Sequence, residues 1–115
     1  MTADGFRRLA LTLPETYEAG HQGHPDFRVG KRVFATLAYP DSSWAMIKLT
    51  PAQQSQFVAL VPKVFLPVKG AWGLRGATNI KLSAATRAGL QPALAAAWKN
   101  VAPASVRTRH QESDV

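Results

Sequence analysis

The apolar positions of this chain follow two periods. Phe6, Leu9, Ala10 and Leu13 recur at i, i+3, i+4 and i+7, which collects them on one face of a helix. Thr2 or Asp4 is placed to cap its start, and Pro14 ends it because the residue before a proline avoids the helical region. Arg7 and Arg8 fall on the solvent side. From residue 16 to residue 49 the period shortens to two. Asp26 to Val29 and Arg32 to Leu37 flank Gly30-Lys31, a glycine-led pair suited to a two-residue hairpin turn. Tyr39 to Ser43 is a turn cluster. Beyond it Trp44, Met46 and Lys48 alternate with Ala45, Ile47 and Leu49, so the two sets lie on opposite faces of a strand. Thr50-Pro51-Ala52-Gln53 then reads as a helix start, with Thr50 as cap, Pro51 at the first helical position and Gln53 closing a capping box. Phe57, Leu60 and Val61 form the buried face expected of this second helix, and Pro62 stops it.

Val64 to Val68 is a short extended piece bounded by prolines. Gly70, Gly73 and Gly76 mark a loop with unusual backbone angles around Trp72 and Arg75. Thr78, Ile80 and Leu82 alternate with Asn79 and Lys81, the pattern of a half-buried strand. A closing helix capped by Ser83 carries the stripe Leu90, Leu94, Ala97, Trp98 and Val101; Pro92 conflicts with it, so a kink or a later start near Leu90 is expected. Pro103 ends that helix. The order is therefore helix, three strands, helix, strands, helix, with no run of βαβ alternation. This predicts one α+β domain over residues 1–102, with an antiparallel sheet of about five strands and helices packed on one face. Residues 103–115 are expected to form a mobile tail.

Composition changes the picture mainly through charge. The chain has 115 residues, of which 46% are hydrophobic, enough for one self-supporting core. No apolar run approaches the ~20 residues needed to cross a bilayer. With Asp4 early in Met1 to Leu13, no signal-peptide pattern is present, and a cytoplasmic location is expected. The absence of cysteine excludes disulfides, thiolate catalysis, zinc ribbons and iron–sulfur clusters. The net charge of +7 is unevenly placed: residues 1–41 hold five basic and five acidic side chains, whereas nine lysines and arginines but no carboxylate occur between Ser42 and Gln111. Such a one-signed stretch attracts polyanions.

The order of short motifs resembles the MmcQ/YjbR family. The opening helix runs into Leu13-Pro14-Glu15-Thr16, His24-Pro25-Asp26-Phe27-Arg28-Val29 leads to Lys31-Arg32-Val33-Phe34-Ala35, and a strand ends Ile47-Lys48-Leu49-Thr50. The glycine–tryptophan loop and an alanine-rich closing helix complete a resemblance covering residues 4–102. It implies a compact α+β domain of frataxin-like shape and a double-wing DNA-binding arrangement. Many relatives carry an aromatic residue just after the last loop glycine, where this chain has Ala77, so Trp72 would have to supply that function.

Nucleic-acid binding has a concrete form here. With helices on one face of the sheet, Lys48, Lys81 and Trp44 point to the other. Aromatic side chains among cations make a platform for bases and phosphates. Arg28, Lys31 and Arg32 would crown the first hairpin, and Lys69, Trp72 and Arg75 the loop, together forming two basic wings. The structural alternative is that Trp44 and Trp72 close the edges of the core while the lysines keep the exposed sheet soluble. Protein-partner or small-ligand binding, or homodimerisation, through Trp44 and Met46 is the competing function. His21 and His24, with Glu18 and Asp26 nearby, offer nitrogen and oxygen ligands, but a turn does not fix both imidazoles on one side, so no metal is assigned. No cofactor is assigned either. The chain carries no nucleophile elbow, Walker loop or dinucleotide fingerprint, and Gly70-x-x-Gly73-x-x-Gly76 has the wrong spacing for a phosphate loop. Nothing places Glu15 and Glu18 about a cleft as acid and base, so catalysis is not expected.

Overall fold

Helix α1 (Ala3–Leu11) begins where the Thr2 hydroxyl accepts from the Gly5 amide, and it buries Phe6, Leu9 and Ala10. The structure is a computed structural model and describes residues 1–21, 24–38 and 41–110. After α1 come four strands: β1 (Tyr17–His21), β2 (His24–Val29), β3 (Arg32–Leu37) and β4 (Trp44–Lys48). Helix α2 (Pro51–Leu60), strand β5 (Phe65–Pro67), the short helix α3 (Ala71–Leu74) and strand β6 (Ala77–Lys81) follow. A 3-10 turn at Leu82–Ala84 leads to α4 (Arg87–Val101) and α5 (Ala104–Arg109). The strands form one antiparallel sheet in the order β1-β2-β3-β4-β6-β5. No helix among the described residues is long and apolar enough to cross a membrane.

The sheet thus has six strands, against about five expected. The additional strand is the edge strand β1, whose sequence Tyr-Glu-Ala-Gly-His lacks the alternation that announces a half-buried strand. Between β2 and β3, Gly30 and Lys31 both take positive φ, 58° and 68°, the geometry that matches the right-handed twist of a two-residue hairpin. In the same pair the register jumps from Phe27↔Ala35 to Arg28↔Val33, leaving Phe34 as an extra residue on β3. This bulge turns both Phe34 and Ala35 into the core, which a strict period of two forbids.

The inner face of the sheet, with Phe27, Val29, Leu37, Ala45, Ile47 and Ile80 buried, packs against α1 and α4. Helix α4 buries Leu90, Ala93, Leu94, Ala97 and Trp98, and the Trp98 indole N–H donates to the Pro14 carbonyl at 2.9 Å. Its cap is Thr86, not Ser83, because Ser83 lies within the preceding 3-10 turn. Pro92 is accommodated inside the helix. The carbonyl it cannot serve, that of Ala88, belongs to an exposed residue of the first turn, so leaving it without an intrahelical donor does not bury an unsatisfied group.

Two expectations change. Helix α2 forms with its capping box, but it buries no residue completely; Leu60 is 74% exposed, and contact with the sheet runs through the half-buried Phe57, whose ring lies 5.2 Å from that of Phe65. The helix covers the margin of the sheet, where β5 has only three residues, so its second apolar row has nothing to meet. The second change concerns the segment expected to be a tail. It is helical over Ala104–Arg109, with Val106 buried, Pro103 against the Gly30 turn, and Arg109 bonded to Glu15. Its single buried apolar residue gave no periodic signal. Residues 111–115 lie outside the described residues.

Candidate nucleic-acid interface

The outer face of the sheet carries the side chains that alternate with the core. Strand register arranges them in rows across the strands. At one end, Tyr17, Arg28 and Val33 lie beside one another, and Lys48 lies opposite Ala77. The middle row runs Ala19, Asp26, Thr36, Met46, Asn79 and Leu66, crossing all six strands. At the far end Trp44 faces Lys81. This face is concave and forms an open cleft of about 1500 Å³, walled by Ala19, Gly20 and His24 on one side and by Leu66 to Lys69 with Trp72 on the other.

Helix α3 builds the second wall. It is where the three-glycine loop was expected, and it sits close to the chain leading out of β5. A Cβ on Gly73 would lie 1.6 Å from the Val68 carbonyl oxygen, so only glycine permits this approach. The Gln54 side-chain amide donates to the carbonyls of Gly73 (3.0 Å) and Ala77 (2.9 Å), tying α3 to α2 and β6. Held this way, Trp72 faces the cleft while remaining 63% exposed, so it does not close the core. Trp44 is half-buried on the cleft floor.

Of the eight residues expected to bind nucleic acid, five line the cleft: Arg28, Lys48, Lys69, Trp72 and Arg75. Arg28 is committed elsewhere. Its guanidinium donates to both Asp26 oxygens, at 2.8 and 2.9 Å, and this hydrogen-bonded pairing raises its pKa further. Asp26 is the one carboxylate lining the cleft, so Lys48, Lys69 and Arg75 are left without an ion pair among the described residues. Lys31 and Arg32 lie outside the cleft, at the hairpin tip. Because the strands alternate in direction, that tip is at the same sheet end as Lys48 and the α3 segment, with β3 and β6 two strand spacings, about 10 Å, apart. The second crown is a helix-containing corner rather than a hairpin. Lys81 stands at the opposite end of the sheet beside Trp44.

The remaining charges explain why the N-terminal third is neutral at its surface. Asp4 pairs with Arg7 and Arg8, Glu18 with Arg7, and Glu15 with Arg109 and His110. The Glu15 carboxyl is held below the usual carboxylate range, first by the Arg109 hydrogen bond and then by His110. No group of three or more His, Asp or Glu side chains able to hold a metal occurs among the described residues. His21 and His24 are backbone register partners across β1 and β2, and His24 Nδ1 lies 3.1 Å from the Ala38 carbonyl.

Sequence reasoning did not single out Asn79, Thr36 or Leu66 for the site. Alternation put Asn79 on the outer face, but only the pairing of β6 with both β4 and β5 shows that it sits at the centre of the cleft floor.

The domain as a whole resembles a solved structure, the crystal structure of Deinococcus radiodurans protein DR2400, which carries a DUF419 domain. The TM-score is 0.72 and the identity 17%, covering 94% of this chain and 86% of that one. The likeness is one of fold. No family model matches the chain, and no curated protein matches it.

Proposed function

We propose that the protein binds DNA, as a single strand, across the outer face of its sheet. The observation that carries this reading is the cleft itself: an apolar floor and wall formed by Trp44, Met46, Leu66 and Trp72, beside three cations without an ion pair among the described residues. Base faces stack on aromatic and apolar surface only when they are not already stacked in a duplex, and phosphates seek the cations. The strand's backbone runs along the sheet end from Lys31 and Arg32 past Lys48 to Arg75 and Lys69, and its bases turn inward onto the floor. Arg28 holds Asp26 neutralised, and Lys81 meets the strand beside Trp44. At about 1500 Å³ the cleft exceeds the usual range of a small-molecule pocket, roughly 300–1,000 Å³, which favours an extended ligand. The motif order that resembles the MmcQ/YjbR family, with the DNA-binding arrangement that the resemblance implies, supports the same ligand class, and the fold shared with the DUF419 protein fits placement in that family. A cytoplasmic location fits such a ligand.

Fluorescence anisotropy of a labelled twelve-nucleotide strand, titrated across salt concentrations, tests the proposal. Binding is expected to weaken steeply with salt. Replacing Lys48, Lys69 and Arg75 together by Ala is expected to reduce the slope of log K against log salt by about 2, since each phosphate contact on a single strand contributes about 0.7. Trp72→Ala is expected to weaken binding with the slope kept. Absence of binding at low salt would refute the reading, and would leave the apolar floor as a surface for a protein partner or a second copy of the chain.

A further inference from the structure

Asn79 occupies a distinctive place in this cleft. Along the middle row its direct neighbours are Met46 on β4 and Leu66 on β5, both apolar. Its side chain is half-buried, its amide makes no hydrogen bond among the described residues, and it lines the cleft. The other polar members of the row are differently disposed. Asp26 is bonded to Arg28, and Thr36 offers a single hydroxyl without the paired donor and acceptor of an amide. A carboxamide with donor and acceptor side by side, set in an apolar floor, is a group for reading the edge of a flat heterocycle rather than for holding a phosphate.

The spacing suits a base. Asn79 is two residues along β6 from Ala77, the partner of Lys48, so it lies about 7 Å inward from the cationic sheet end. A strand whose phosphate rests at Lys48 therefore sets its base over Met46 with an edge toward Asn79. Adenine's 6-amino group is a donor flanked by ring-nitrogen acceptors on both sides, so it matches the amide on two edges. Guanine, cytosine and thymine also set a donor beside an acceptor, whereas a purine ring without the 6-amino group offers acceptors alone.

Resting on the single-strand reading above, we infer that Asn79 is a specificity-determining residue that makes the cleft prefer bases whose edge sets a donor beside an acceptor, adenine among them, over a purine ring without the 6-amino group. The test compares the affinities of dA12, dT12 and a twelve-mer of 2′-deoxypurine nucleosides, which keep the purine ring but lack the 6-amino group. Wild-type protein is expected to bind dA12 about tenfold more tightly than the deoxypurine strand, within the discrimination of one bidentate amide–base pair, with dT12 as the strand that keeps a donor–acceptor edge on a smaller ring. Asn79→Thr, which retains a strand-forming residue, is expected to bind dA12 and deoxypurine strands equally. Asn79→Gln, which keeps the amide, is expected to restore part of the preference. Thermal melts verify that both variants are folded. Equal binding of dA12 and deoxypurine strands by the wild type, with both above dT12, would show ring stacking alone and overturn the inference while leaving single-strand binding intact. An undiminished adenine preference in Asn79→Thr would do the same. If none of the strands binds at low salt, the single-strand reading itself falls.

Discussion

Replacing Gly73 by Ala tests the structural basis of the cleft wall, because local and tertiary physics disagree on its sign. Gly73 lies inside α3 and its φ is not in the left-handed region, so helix propensity alone says that alanine stabilises by up to about 1 kcal/mol. The tertiary structure says the opposite. The added methyl would lie 1.6 Å from the Val68 carbonyl oxygen and 2.7 Å from its carbon, both backbone atoms that cannot rotate away. To regain an ordinary van der Waals separation, α3 would have to retreat by about 2 Å. That movement strains the two Gln54 hydrogen bonds to Gly73 and Ala77. Because the atoms met are backbone, the cost falls in the upper part of the overpacking range, about 2–3 kcal/mol, and subtracting the propensity gain leaves a net loss of about 1–2 kcal/mol. At this chain length such a loss lowers Tm by roughly 4–8 °C. Differential scanning calorimetry reads it directly. A companion variant, Gly70→Ala, meets no atom within 4 Å and differs only in adding a side chain at φ +82°, which isolates backbone strain from packing. A Gly73→Ala protein that melts at or above the wild-type temperature would refute the packing argument for α3.

Other expected outcomes follow from burial and from charge. Phe34→Ala removes a fully buried ring from the bulge and is expected to cost about 3–5 kcal/mol in urea unfolding. Leu60→Ser, at a position 74% exposed, is expected to stay within about 0.5 kcal/mol; a loss comparable to that of Phe34→Ala would place Leu60 in the core. The docking of α5 depends on pH through Glu15. Its folded-state pKa is depressed by Arg109 and His110, so the stabilisation is complete above the unfolded value and is lost as pH falls through the folded one. Amide resonances of Val106 and Arg107 are expected to move toward random-coil positions on acidification below the usual carboxylate range. In Glu15→Gln that dependence should vanish, and its persistence would assign the effect to another group.

The edges of the sheet show how far local chemistry limits assembly. At β5 the backbone groups of Val64 and Val68 bond to β6, which leaves those of Phe65 and Pro67 facing outward. The Phe65 amide donates to the Val61 carbonyl, and Pro67 has none, so this edge presents no free N–H to an added strand. A second copy therefore cannot extend the sheet through a full backbone ladder at β5.

The sequence by itself determined what depends on neighbours in the chain. The stripe of α1, the Thr50 capping box, the Gly30-Lys31 turn, the alternation of β4 and β6 and the apolar face of α4 are all local consequences of side-chain period and cap chemistry. So is the charge asymmetry, which belongs to composition alone. Trp44 and Lys48 were assignable to one face for the same reason. Only the tertiary structure decided what depends on residues distant in the chain. Placing β6 between β4 and β5 sets Asn79 between Met46 and Leu66, and no local pattern encodes that order. The bulge at Phe34 breaks the period from which faces are read. Leu60 had the right spacing for burial but no opposing surface, and Val106 had an opposing surface without any periodic spacing. Arg28 and Asp26, two residues apart on β2, share a face by alternation alone, so the ion pair that takes Arg28 out of the set of free cations was open to a reading of the strand period. Period and capping are properties of a segment, whereas a cleft is a property of which segments become neighbours, and that choice is made by burial summed over the whole chain.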